Sequence, residues 1–390
     1  MKRLILCLAL CMALVTPVLA EEAIQMTVWG SHADHALLAS LIWEFKQANP
    51  DKVFDIALEA VEEPELWSRY QKDAGSVADV FAFASDQLSS LVSAGALLPV
   101  GLARDAVIAE NTASSVYSAT YGGVLYAYPM TEDNGYFLYY DASVLTGEDV
   151  QSLDAILAKA DASGKKVFMD VANGWYLVSF FFGADCRLYI DEDGRQRSDF
   201  NSDAGVAAAE ALRAFTEHPS FLTGNDATLV SGMGDTLCAG ISGTWNASAI
   251  RRKLGENYRA CKLPTFTLNG EQAQMGSFAG TKLIGVNALT KFPQEADALA
   301  AFLTDESAQI LRYKVRAMGP SNVQAAAFKA VQEDVALMAL KEQSPFAVSP
   351  NNVTGSFWGP AKAFGEAVMN RSDTDMRTLL NEFESSIRDQ

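Results

Sequence analysis

Residues 24–58 read IQMTVWGSHADHALLASLIWEFKQANPDKVFDIAL, and this stretch decides the fold class. Ile24 to Trp29 alternates apolar and polar residues, the period of a half-buried strand. From His35 to Asn49 the apolar positions Leu38, Leu41, Ile42 and Phe45 fall at helical spacing, and Pro50 stops the helix. Val53 to Leu58 then returns to strand texture. Strand, helix and strand at these lengths predict a βαβ unit and a mostly parallel sheet. Downstream the pattern continues with a helix from Pro64 to Ala74, a short apolar strand from Asp79 to Ala84, and a helix to Ala94 that Asp86 caps.

Near Tyr121 the texture changes. Tyr121-Gly122-Gly123-Val124-Leu125-Tyr126-Ala127-Tyr128-Pro129 reads as a turn and a short strand, and Asn134 to Asp141 as another strand. A second α/β series follows: strand Lys166 to Met169, helix Gly174 to Phe182, a hairpin turning at Asp193-Gly194, and helix Ala204 to Glu217. Strand Ala239 to Ser242, helix Ala247 to Leu254 and strands Arg259 to Leu263 and Lys282 to Asn287 complete it. From Pro293 the pattern is almost wholly helical. At about 100–200 residues per domain, 390 residues predict two domains. No linker separates them, so the chain is expected to cross between lobes several times.

Composition narrows the function. Lys2-Arg3, the unbroken apolar run Leu4 to Val15 and the small residues ending at Ala20 read as an export signal at residues 1–20, cleaved after Ala20. That run is shorter than the roughly 20 residues a membrane-spanning helix needs. The formal net charge is −18, and losing Lys2 and Arg3 makes the chain more acidic still. Such a charge excludes a phosphate backbone as partner and suits a neutral or cationic small ligand. Cys7 and Cys11 leave with the signal; Leu10 precedes Cys11 where a lipid-anchor motif needs a small residue. Cys186, Cys238 and Cys261 remain, with no CxxC pair and hence no zinc signature. Cys238 and Cys261 lie on strands joined by one helix, which makes a disulfide between them an expectation to test.

No GxSxG, HExxH or phosphate-binding loop is present, His32, His35 and His218 are scattered, and neither metal nor cofactor is expected. The adjacent acids Glu132-Asp133 and Glu62-Glu63 are the only hint of a glycosidase pair, and among 48 acidic residues such neighbours arise by chance. The aromatic residues are more informative. Trp175, Trp245 and Trp358 each sit at the end of a strand or the start of a helix, where open α/β sheets place ligands. Singly, each reads as well as packing. Three at comparable positions suggest faces for the apolar side of a sugar ring, with carboxylates and amides supplying directional hydrogen bonds.

Several segments carry a family resemblance: Met26-Thr27-Val28-Trp29-Gly30, Ala78-Asp79-Val80-Phe81-Ala82-Phe83-Ala84-Ser85-Asp86, Ala127-Tyr128-Pro129 and Tyr139-Tyr140-Asp141. Ser242-Gly243-Thr244-Trp245, Lys262-Leu263-Pro264-Thr265-Phe266, Gly319-Pro320-Ser321-Asn322 and Ser356-Phe357-Trp358 extend it. In order and spacing they resemble the extracellular solute-binding proteins of ABC importers, the maltose- and maltodextrin-binding type in particular. The resemblance implies an α/β, two-lobed periplasmic-binding-protein fold of type II, with discontinuous lobes, a hinge and a central ligand cleft. The first lobe would hold residues 24–131 and 284–328, the second 132–283 and 329–390. It also implies a monomeric, periplasmic or extracellular protein that is not an enzyme. Such a protein binds a maltose-like oligosaccharide or other neutral sugar and delivers it to the permease subunits; the alternative is a secreted glycoside hydrolase. By position, Trp245 and Trp358 match the family's stacking tryptophans and Trp175 lies close to another stacking aromatic. Asp34, Asp86 and Asp133 match acidic residues of the site, and Phe83 falls where the maltose binders commonly have Trp.

Overall fold

The computed structural model describes residues 23–371 and 373–388; the expected export signal, with Cys7 and Cys11, lies outside them. The first strand–helix–strand unit forms as the pattern dictates: β1 (Ile24–Gly30), helix α1 (His35–Ala48) and β2 (Phe54–Ala60). β1 pairs in parallel with β2 and with β3 (Val80–Ala84). α1 buries Leu37, Leu38, Leu41, Ile42 and Phe45 against them.

Expected as two pieces, the next segment is one continuous strand, β4 (Ala127–Asp141), through Pro129 and Gly135. The sequence pattern places a break between Pro129 and Asn134. The ladder absorbs Pro129 beside a register shift between Lys282 and Leu283 on its partner β9 (Ser277–Val286). The second α/β series supplies β5 (Lys166–Phe168), β6 (Phe221–Leu222), β7 (Leu237–Gly243) and β8 (Tyr258–Cys261), and Ala347–Val348 adds β10 beside β9. The ten strands share one sheet in the order β6-β5-β7-β4-β9-β3-β1-β2, with β8 pairing β4 and β10 pairing β9.

Buried side chains gather in separate cores along this sheet. One joins Met26 through Met130 to Leu283–Ala308. A second joins Tyr136 through Phe278 to Val353–Ile387, and a third, on the opposite face of β4, packs Phe137 and Tyr139 against Leu229, Leu237, Ala336 and Ala339. The long strands β4 and β9 run from the first core into the second.

The pairing expected of Cys238 and Cys261 does not form. β7 and β8 both pair antiparallel with β4, and Tyr140 faces Ala239 on one side and Arg259 on the other, so β4 lies between the two cysteines. Two strand spacings of about 4.8 Å separate them, more than the roughly 7 Å a disulfide spans between Cα atoms. All three cysteines are free. Unfolding the unreduced protein should therefore expose three titratable thiols in a thiol-reagent assay; one thiol would contradict this strand order.

Candidate ligand cleft

The sheet register places the site. Ala84, the last residue of β3, is level with Lys282 and, through β9, with Thr131 of β4. Gly243, the last residue of β7, is level with Tyr136. β3 runs with β4 and β7 runs against it, so the two carboxyl ends point toward each other. Five residues of strand, about 17 Å, separate them, and loops after β1, β3, β5 and β7 overhang that gap.

The side of the gap at the end of β7 carries the aromatics. Helix α2 (Gly174–Gly183), capped by Asn173, and helix α5 (Gly355–Asn370; the intervening α3 and α4 are given below) bring their first turns together. A Cβ on Gly174 would stand 2.8 Å from that of Ala361, so glycine permits this approach. Trp175 and Trp358 thereby meet with ring centroids 6.3 Å apart, and Phe278 of β9 lies 5.1 Å from the first and 6.1 Å from the second. Both tryptophans stay partly exposed, while Trp175 Nε1 is buried without a hydrogen-bond partner. Beside them a cavity of about 380 Å³ is bounded by Asp170, Ala172, Asn173, Trp358 and Lys362. A larger cavity of about 460 Å³ runs along the crossing strands past Glu132, Asn134, Gly280 and Leu337. None of the seven expected site residues lines it, and Trp358 alone of them lines the smaller one. Trp245 is partly exposed at the end of β7, its indole N–H on Asp226 Oδ2 at 3.1 Å.

The acidic residues behave differently from one another. Asp34 is buried, with Arg316 Nε at 2.7 Å from Oδ1 and Arg312 Nε at 3.9 Å from Oδ2; both arginines come from helix α4 (Glu306–Arg316), α3 being Asp226–Gly232. Its carboxylate is thus part of an ion cluster and not free of protein partners. Asp133 is also buried, accepting from Gly319 N at 2.8 Å and from Thr244 Oγ1 at 2.9 Å. It ties β4 to the segment after α4 and to the turn that carries Trp245. Glu63 stands 3.7 Å from Lys282 in the same region. Burial works against the Lys282 charge, but Glu63, Asp133 and Asp34 outweigh it and hold its pKa above the usual lysine value. Burial lowers that of Arg312 despite the same acids.

Phe83 does not reach the cleft. It is 0% exposed, and β3 reads Val-Phe-Ala-Phe-Ala, an apolar run covered on both faces. Its ring packs 5.9 Å from Phe81 and beneath Gly285.

Asp86 retains part of its surface at the end of β3 and has no cationic partner. Burial pushes its carboxyl up to about 6, against a smaller opposing pull from its own backbone N–H. Unfolded, the group titrates near 3.8. The folded protein thus favours the protonated acid, a contribution present below pH 4 and lost as the pH rises through 6. Asp86→Asn is expected to raise stability at pH 7 by on the order of 1–3 kcal/mol and to leave it unchanged at pH 3.5, read from urea midpoints. Equal midpoints at pH 7 would mean that this carboxylate is well solvated.

Sequence reasoning missed Phe278, Asp170, Lys362, Asp226, Arg312 and Arg316. Only Lys362 had a local signal, four residues after Trp358 and so on the same helical face.

Comparison with known proteins agrees with this geometry. Residues 40–339 match the family model described as bacterial extracellular solute-binding protein. The galactooligosaccharide-binding protein of Bacillus subtilis (strain 168) is 26% identical over 351 residues, covering 82% of each chain. A protein solved with acarbose is 30% identical, with a TM-score of 0.87, over 94% of this chain and 99% of its own. The maltodextrin-binding protein MalE1 of L. casei BL23, solved without ligand, is 25% identical, with a TM-score of 0.80, over 94% of this chain and 100% of its own. The B. subtilis and L. casei relatives are named as binding proteins, and the solved structures share the two-lobed α/β architecture. With the family model spanning most of the sequence, the chain belongs to the bacterial extracellular solute-binding proteins.

Proposed function

We propose that this protein is the exported, monomeric sugar-binding component of an ABC importer. It captures a maltose-like oligosaccharide between its lobes and presents the closed form to the permease. The pair of partly exposed tryptophans, Trp175 and Trp358, at converging helix starts carries the reading. A stacked face with Lys362, Asp170 and Asn173 at its rim suits a ring that is apolar above and hydroxylated around. We place the first lobe at residues 24–131 and 284–328 and the second at 132–283 and 329–390; the grouping of the buried side chains supports this division. A ligand that touches both lobes only when they close shifts the population toward the closed state by its differential affinity. The protein matures by cleavage after Ala20 and acts in the periplasm or outside the cell. Among the described residues no helix is long and apolar enough to cross a membrane.

The geometry disfavours a glycoside hydrolase. Glu132 and Asp133 are neighbours on one strand, where side chains alternate between faces. Glu132 takes the Thr112 and Ser114 hydroxyls while Asp133 takes Gly319 N and Thr244. They do not flank a common bond.

A thermal-shift screen with maltose, maltotriose, acarbose and a galactotriose tests the proposal. Ligand at 100 times its Kd adds about 2.7 kcal/mol to stability, a rise of several degrees. No shift with any of the four, or release of shorter sugars on long incubation, would overturn it.

A further inference from the structure

Trp245 begins the short turn after β7, yet its ring is not free to swing. The indole Nε1 donates to Asp226 Oδ2 at 3.1 Å. Ser242, one residue before the end of β7, points its hydroxyl at Asp226 Oδ1 at 3.4 Å and accepts from Asn246 Nδ2 at 3.0 Å. Asp226 stands in the first turn of α3, whose cap Asn225 takes Thr228 N and Thr228 Oγ1, so its backbone is anchored independently of the tryptophan. The far end of the ring, Cζ3 and Cη2, lies against Gly243. A Cβ at that position would come within 2.1 Å of Trp245 Cζ3 and 2.3 Å of Cη2, and within 2.5 Å of the Gly135 carbonyl oxygen on β4. The Gly243 carbonyl in turn accepts the Tyr139 hydroxyl at 2.8 Å, which fixes the backbone against which the ring lies.

We propose that Asp226 and Gly243 are positioning residues for ligand capture: Asp226 clamps the indole N–H and Gly243 leaves room for the opposite end of the ring to lie against backbone, so that Trp245 is held at both ends. The inference rests on the reading of Trp245 as a sugar-stacking face. Its physical content is preorganisation. A partly exposed tryptophan on a turn samples several rotamers, and ordering it on binding costs affinity; a ring already held at its N–H and at its far end loses little. An exposed carboxylate 19 residues back in the chain has this role because an acceptor on α3 can reach across to the β7 turn.

Two measurements test this, the first without any sugar. Among the six tryptophan indole N–H signals of a ¹⁵N-labelled sample, that of Trp245 is identified by its loss in Trp245→Phe. In Asp226→Ala it should shift and exchange faster with water; in Asp226→Asn, which keeps an acceptor oxygen, it should stay protected. An unmoved signal in Asp226→Ala overturns the clamp whether or not a sugar binds. The second is calorimetry with maltotriose. Asp226→Ala should weaken binding about five- to tenfold in the parent but less than twofold in Trp245→Phe, whose ring lacks the N–H. Asp226→Asn should stay within about threefold, and Gly243→Ala should lose binding as Asp226→Ala does. Equal losses in both backgrounds overturn the inference by making Asp226 a direct contact. If the parent fails to bind maltotriose, the maltose-like reading fails while the indole spectrum still decides the clamp.

Discussion

Asp34→Ala should lower stability by about 3–5 kcal/mol, the usual cost of stripping one partner from a buried ion pair. Asp34 is the carboxylate within ion-pair distance of both Arg312 and Arg316, and Arg312 is fully buried. Two of the Arg312 guanidinium nitrogens already lack a hydrogen-bond partner, and Nη1 reaches only the Leu303 carbonyl at 3.4 Å. Without Asp34 that charge is left with Glu63 and Asp133 at longer range. Adding Arg312→Met removes the stranded charge and should recover a good part of the loss, because apolar replacements of buried ion pairs are often neutral or better. Chemical-unfolding midpoints of the parent, the single and the double variant decide it. A normal midpoint with weakened sugar binding in Asp34→Ala would restore this residue to the ligand contacts that the family resemblance implied.

The ion cluster also marks where sequence reading runs out. The β1–α1–β2 unit was legible because its apolar periods switch cleanly from two to 3.6 and back. The partial exposure of Trp175 and Trp358 at helix starts was legible, because a tryptophan at the first turn of a helix is poorly placed to fill a stripe along it. The partners of Asp34, by contrast, lie 282 residues away in the case of Arg316, and no local pattern announces a pairing that only the sheet order creates. The same holds for Asp226 beneath the Trp245 indole. β4 misled in the other direction: the sequence pattern ends one strand at Pro129 and begins another at Asn134, yet pairing with β9 on one side and β7 on the other carries a single strand through residues 130–133. Sheet order also undid the expected disulfide: Asn134 to Asp141 reads as a strand, but no local pattern puts it between the strands of Cys238 and Cys261. Phe83 was assigned by its place in a family pattern, whereas its own neighbours, five consecutive apolar residues, already described a strand buried on both faces.

The affinity of the cleft is expected to reside in its aromatic faces. Trp358→Ala and Trp245→Ala should each weaken binding of the sugar found in the screen by about 1.5–3 kcal/mol, roughly 10- to 150-fold. Asp86→Ala should cost less, because a half-buried carboxylate exchanges water for sugar hydroxyls at a net of about 0.5–1.5 kcal/mol. The two tryptophans should differ in a second observable. Trp358 packs against Phe278, Trp175 and Phe357, so its removal opens space beside the core and should also lower the melting temperature. Trp245 lies against backbone at Gly243, and its loss should be felt mainly in affinity. Calorimetric titration and thermal unfolding on the same two variants separate these effects. Parent-like affinity in both variants would make the tryptophans packing residues and remove the stacking surface from the site; a loss confined to Trp358→Ala would narrow that surface to the group formed with Trp175 and Phe278.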